Sequence, residues 1–133
     1  MRGRHLAAAG IVPVALVATA CGGGSSGGAG SPGPVQHPSR LVADVGHDDR
    51  FVISLTDGNN QPIRNLAAGT YSLSVDDESN IHNFHLSGSG VDASTSIGGT
   101  GTKNFTATFS PGTYSFVCDT HPSSMHGKFV VSK

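Results

Sequence analysis

From Arg40 onward, apolar and polar residues alternate in short runs. Leu41-Val42-Ala43-Asp44-Val45 reads as a first strand, and Phe51, Ile53 and Leu55 line one face of a second, which stops at the turn-forming Asp57-Gly58-Asn59-Asn60. Gln61 to Ala68 has no clear period and reads as a loop with room for a helical turn. Tyr71, Leu73 and Val75 alternate with Ser72 and Ser74, after which Asp76-Asp77-Glu78-Ser79-Asn80 reads as a solvated polar turn. His82, Phe84 and Leu86 then fall on one face of an extended run, with Asn83 and His85 on the other. Ser87 to Thr102 is Gly, Ser and Thr with isolated Val91 and Ile97, the pattern of a long surface loop. Phe105, Ala107 and Phe109 form the next apolar face. Ser110-Pro111-Gly112-Thr113 suits a type II turn and predicts a hairpin into a strand whose inner face carries Tyr114, Phe116 and Cys118. Phe129-Val130-Val131 ends the series.

Six or seven short strands with no amphipathic helix predict an all-β fold, an antiparallel β-sandwich with Greek-key connections. The expected core is Phe51, Ile53, Leu55, Tyr71, Leu73, Val75, Phe84, Leu86, Phe105, Phe109, Tyr114, Phe116, Phe129 and Val131.

The first 39 residues follow different rules. Arg2 and Arg4 precede an apolar run from Leu6 to Ala18, interrupted by Pro13 and too short for a comfortable membrane span, which is the form of an export signal over residues 1–20. Ala18-Thr19-Ala20 leads into Cys21, which fits a bacterial lipoprotein signal with Cys21 lipidated; simple secretion or a periplasmic protein is the alternative. Residues 21–39 then form a Gly/Ser/Pro tether with almost no apolar content, expected to be disordered and, as a coil, to reach roughly 20–25 Å. Residues 40–133 are the folded domain. The expected setting is extracytoplasmic and membrane-anchored through Cys21.

Net charge gives no sign of nucleic-acid binding. Of 8 Lys and Arg, two lie in the leader, leaving 6 against 9 Asp and Glu, a net −3 with no basic patch for nucleic acid. The two cysteines, Cys21 and Cys118, lie in segments of such different character that a structural disulfide between them is not expected. Cys118 therefore needs another role.

Its neighbours supply one. Cys118, His121 and Met125 bring a thiolate, an imidazole and a thioether into one loop after a strand, and these are ligands that select copper. His82, at the edge of an apolar face, is the candidate for the missing nitrogen, whereas His85 points to the opposite face and His126 abuts Met125 without being needed. A Cys, two His and a weak axial Met make a blue-copper electron-transfer centre. Zinc is the rival metal, although Met is not among its usual ligands. A Cys–His hydrolase is a second rival, but no nucleophile signature surrounds Cys118 and no acid–base pair is visible, so no enzyme is expected.

The sequence His82-Asn83 followed far downstream by Cys118-x-x-His121-x-x-x-Met125-x-Gly127 resembles the cupredoxins, the plastocyanin/azurin family of small type 1 copper proteins. The resemblance covers roughly Leu41 to the C-terminus. It implies His82, Cys118 and His121 as equatorial ligands of one copper ion, Met125 as the axial ligand, and Asn83 as the side chain that ties the two ligand-bearing loops together. The interval from His121 to Met125 lies one residue from each of two loop lengths known in the family. The implied function is one-electron transfer with a redox partner of the cell envelope, by a monomer; copper carriage without redox turnover is the alternative.

Overall fold

The computed structural model describes residues 32–133, so the signal, Cys21 and most of the tether lie outside the described residues. Nine strands build two facing sheets. They are β1 (Leu41–Val45), β2 (Ile53–Asp57), β3 (Asn65–Ala67), β4 (Gly69–Asp77), β5 (His85–Gly88), β6 (Val91–Ser94), β7 (Gly101–Phe109), β8 (Gly112–Val117) and β9 (His126–Ser132). One sheet runs β2-β1-β4-β7 and the other β3-β9-β8-β5-β6. The only helical turn among the described residues is a 3-10 turn at His47–Asp49. The expected β-sandwich is present, with two pairings, β1 with β4 and β3 with β9, running parallel.

The core fills the space between the sheets with the alternate residues of each strand. Phe109 meets Tyr114 and Phe129 edge-on at 5.0 and 5.6 Å, while Tyr114 and Phe129 stack at 5.4 Å. These separations are those favoured by aromatic quadrupoles. The Tyr114 hydroxyl donates to the Ser110 carbonyl at 2.9 Å and accepts the Ser110 N–H at 3.1 Å, so this large ring is buried with its polar end satisfied.

Several expectations from sequence fail here for identifiable reasons. The turn at Ser110–Pro111 does not make a hairpin: β7 pairs with β4 in one sheet and β8 with β5 and β9 in the other, so the chain crosses the sandwich there. The stretch from Gln61 to Ala68 contains β3, a three-residue strand too short to show a period, and it buries Leu66 and Ala67, with Ile63 buried just before it. The stretch from Ser87 to Thr102 is not one loop: β5 and β6 form a hairpin there, and β7 already begins at Gly101.

The polar turn expected at 76–80 begins later, because the alternation of β4 continues through Asp77. Asp77 shares the inward face of Leu73 and Val75 and is 2% exposed. Its carboxylate accepts the Thr95 hydroxyl at 2.7 Å, and burial holds its pKa above the usual carboxylate range. Of the expected core, Phe51 alone is exposed, at 55%, because the strand starts only at Ile53. Leu41, Ala43 and Val45 belong to the core as well. The end of the expected tether is held against the domain: Gln36 exchanges backbone hydrogen bonds with Asn65 and Ala67, and its side-chain carbonyl accepts the Arg64 N–H at 2.8 Å.

Candidate metal centre

β8 ends at Val117, and the chain turns at once. The Cys118 N–H donates to the Met125 carbonyl at 2.9 Å, closing the neck of a loop that returns into β9. Inside it, His121 N–H donates to the Cys118 carbonyl at 3.0 Å and Met125 N–H to the His121 carbonyl at 2.9 Å. Cys118, His121 and Met125 are thus fixed by the loop's own backbone. Cys118 and Met125 are fully buried and His121 is half-buried.

The second contributor precedes β5. His82 sits in an irregular segment rather than on a strand; His82, Phe84 and Leu86 are all fully buried, and Asn83 between them is buried too, at 1% exposure. Asn83 turns toward the loop. Its side-chain carbonyl accepts the Asp119 N–H at 2.8 Å, and its amide donates to the Asp119 carboxylate at 2.7 Å. Two hydrogen bonds through one amide lock the segment carrying His82 to the segment carrying Cys118.

The result is a triangle of donors. His82 Nδ1 and His121 Nδ1 stand 3.0 Å apart, and each is 3.7 Å from Cys118 Sγ. A triangle with these sides has its circumcentre about 2.0 Å from every corner, close to the ~2.0–2.3 Å bonds that imidazole and thiolate make to a first-row metal ion. His82 Nε2 is buried without a hydrogen-bond partner, so the ring directs its interactions at the triangle through Nδ1 alone. Burial would raise the Cys118 thiol pKa, but hydrogen bonds with Thr120, the Asn83 backbone and His82 outweigh it and bring the thiol below its ordinary value, toward the thiolate a metal needs. The donor set and its spacing fit a copper ion, with Met125 as the thioether closest in sequence.

Three residues at this site had no signal in the sequence. Phe51 leaves the core but lays its ring edge-on against both imidazoles, 5.1 Å from His82 and 4.7 Å from His121. Thr120 Oγ1 stands 3.1 Å from Cys118 Sγ, 2.9 Å from His121 Nδ1 and 3.0 Å from the Ile81 carbonyl. Asp119 receives the Asn83 amide. His85 and His126 stay off the triangle, as expected: His85 binds Asp92 and Asp119, and His126 Nδ1 lies 2.9 Å from the Pro122 carbonyl.

No protein-family model and no curated protein matches the chain. Among solved structures it is similar to reduced rusticyanin, at 19% identity and a TM-score of 0.53 over 74% of this chain and 83% of that one. It is also similar to the copper protein rusticyanin at 2.1 Å resolution, at 19% identity and 0.52 over 74% and 81%. Rusticyanin from Thiobacillus ferrooxidans matches at 18% identity and 0.50 over 80% and 86%. The likeness is one of fold: the chain has the cupredoxin fold.

Proposed function

We propose that the protein is an extracytoplasmic electron carrier that holds one type 1 copper ion and passes one electron at a time. The observation that carries this reading is the triangle of His82 Nδ1, His121 Nδ1 and Cys118 Sγ, with its centre about 2.0 Å from each donor. Copper, when bound, supplies the one-electron couple and its strong coupling to a thiolate.

The protein's residues do the rest. Cys118, His82 and His121 would hold the ion, and Met125 would add a weaker thioether donor that tunes the balance between its two oxidation states. Asn83 holds the two donor segments in register, and Phe51 keeps water from the imidazoles. His121 is the half-buried member of the triangle, so its outer edge is the route to a redox partner of the cell envelope. Nothing about the site calls for a substrate, and we assign no enzymatic activity. Cys21 is the proposed lipid anchor and the following tether holds a monomeric domain near the membrane.

The visible spectrum of the purified domain after addition of Cu(II) tests this. An intense charge-transfer band that reductant bleaches and Cys118→Ser abolishes is the expected result. A colourless protein that takes zinc one-to-one and gives no blue form under any oxidant refutes it. Anchoring is checked separately: Cys21→Ser should leave the membrane fraction while retaining copper binding, and equal partition of both forms favours simple secretion.

A further inference from the structure

His85 carries no role in the donor set, yet both of its ring nitrogens are engaged beside it. It opens β5, paired with Val117, the residue before Cys118. Its Nδ1 lies 2.8 Å from Asp119 Oδ1, and its Nε2 lies 2.9 Å from Asp92 Oδ1 on β6. A carboxylate can only accept, so an imidazole placed between two of them satisfies both by donating from both nitrogens, which requires the imidazolium form. The Asp119 arm is the better shielded: the Asp119 side chain is 42% exposed and that of Asp92 83%.

Asp119 is itself the residue that Asn83 grips, by its N–H and by its other carboxylate oxygen. The peptide after Cys118 is therefore held at three points, two from Asn83 and one from His85. We propose that His85, as an imidazolium bridging Asp119 and Asp92, is a positioning residue of the metal centre: it locks the Cys118–Asp119 peptide against Asn83 and biases the centre toward Cu(I) by its charge. The second half rests on the copper reading above. A positive charge beside the centre opposes the more positive, oxidised ion, so its loss favours Cu(II).

The experiment has a metal-free arm and a copper-loaded arm, both on the full chain. Without metal, amide hydrogen exchange is followed at Asp119 and, as a control, at Leu73 in the centre of β4. His85→Ala should speed exchange at Asp119 about tenfold and leave Leu73 unchanged. His85→Asn, which keeps a neutral donor near the position of Nδ1, should restore most of the protection. With copper, both variants lose the charge, and the Cu(II)/Cu(I) equilibrium against a fixed mediator should shift about threefold toward Cu(II), ~28 mV at 59 mV per tenfold. Unchanged exchange at Asp119 in His85→Ala, or equal acceleration at Leu73, overturns the lock. An unchanged redox equilibrium in copper-loaded His85→Asn overturns the charge role. A wild-type chain that takes no copper refutes the electron-carrier reading instead, and the exchange arm still decides the lock.

Discussion

Gly127 stands opposite Phe116 across the β8–β9 pairing, and the Phe116 ring lies over it. A Cβ at position 127 would overlap Phe116 Cζ and fall 2.6 Å from Cε2 and 2.9 Å from Cε1. Carbon atoms rest at about 3.5–4.0 Å, so the ring must give way. Its movement is restrained where it stacks on Phe84, at 5.7 Å with an interplanar angle of 19°, and a surface groove lined by Ile53, Ile63 and Lys128 also borders it. Phe84 is fully buried two residues after His82, so displacement of Phe116 presses toward the donor triangle. Gly127→Ala is thus an overpacking change, which costs about 1–3 kcal/mol. The stiffer unfolded chain returns about 0.4–1 kcal/mol, leaving a net destabilisation of about 1.3 kcal/mol at the midpoints of the two ranges. In a domain near 100 residues that lowers Tm by about 5–10 °C. Urea and thermal unfolding of the metal-free protein measure it, and the urea midpoint should fall with the m-value unchanged. Adding Phe116→Leu should recover part of the loss, since the two changes share one clash. A Gly127→Ala protein as stable as wild type, or more so, refutes the reasoning.

Three further outcomes are expected. Tyr114→Phe leaves the Ser110 N–H and carbonyl without the hydroxyl that pairs both, and should lower the unfolding free energy by about 1–3 kcal/mol in denaturant titrations. The pair of His85 and Asp119 sets two limbs of a pH profile: hydrogen bonding to Asp119 raises the His85 pKa, and hydrogen bonding to His85 lowers that of Asp119. Stability from His85 is complete below the ordinary histidine value and lost as pH rises through its raised value; stability from Asp119 is complete above the ordinary aspartate value and lost as pH falls through its lowered one. Unfolding of metal-free His85→Asn at several pH values should therefore show a weaker alkaline limb, the exposed His47–Glu78 pair still supplying its own, and an unchanged limb counts against the assignment. Met125→Leu should retain copper and raise the reduction potential, whereas loss of copper with the fold intact makes Met125 a main anchor and favours copper carriage.

The donor set was legible because each donor is announced locally. Cys118, His121 and Met125 lie within one loop whose backbone closes on itself, and His82 lies at the start of an alternating apolar run next to Asn83. Strand periodicity likewise reached most of the core. What it missed was decided by pairing over long sequence distance. β3 is three residues long and is defined by its parallel partner β9. The Ser110–Pro111 crossing has the composition of a hairpin turn and differs only in which sheet each flanking strand joins. Asp77 reads as a turn residue because its type is polar, while its position continues the inward face of β4, where Thr95 satisfies it. Phe51 fails the other way: its type is apolar, but it lies before β2 begins and spends its ring on the two imidazoles.

The same division governs how the centre is held. His82 and Cys118 are 36 residues apart, and their separation is set by a cross-link at Asn83 and Asp119 together with the pairing of β5 and β8. Backbone bonds within the Cys118 loop set the other donors independently of any side chain. These cross-links and backbone bonds oppose movement of the donors. A centre whose donors keep their places through gain and loss of an electron has little to reorganise, and that property is what an electron carrier needs and a carrier of the ion itself, which must open to release its cargo, does not.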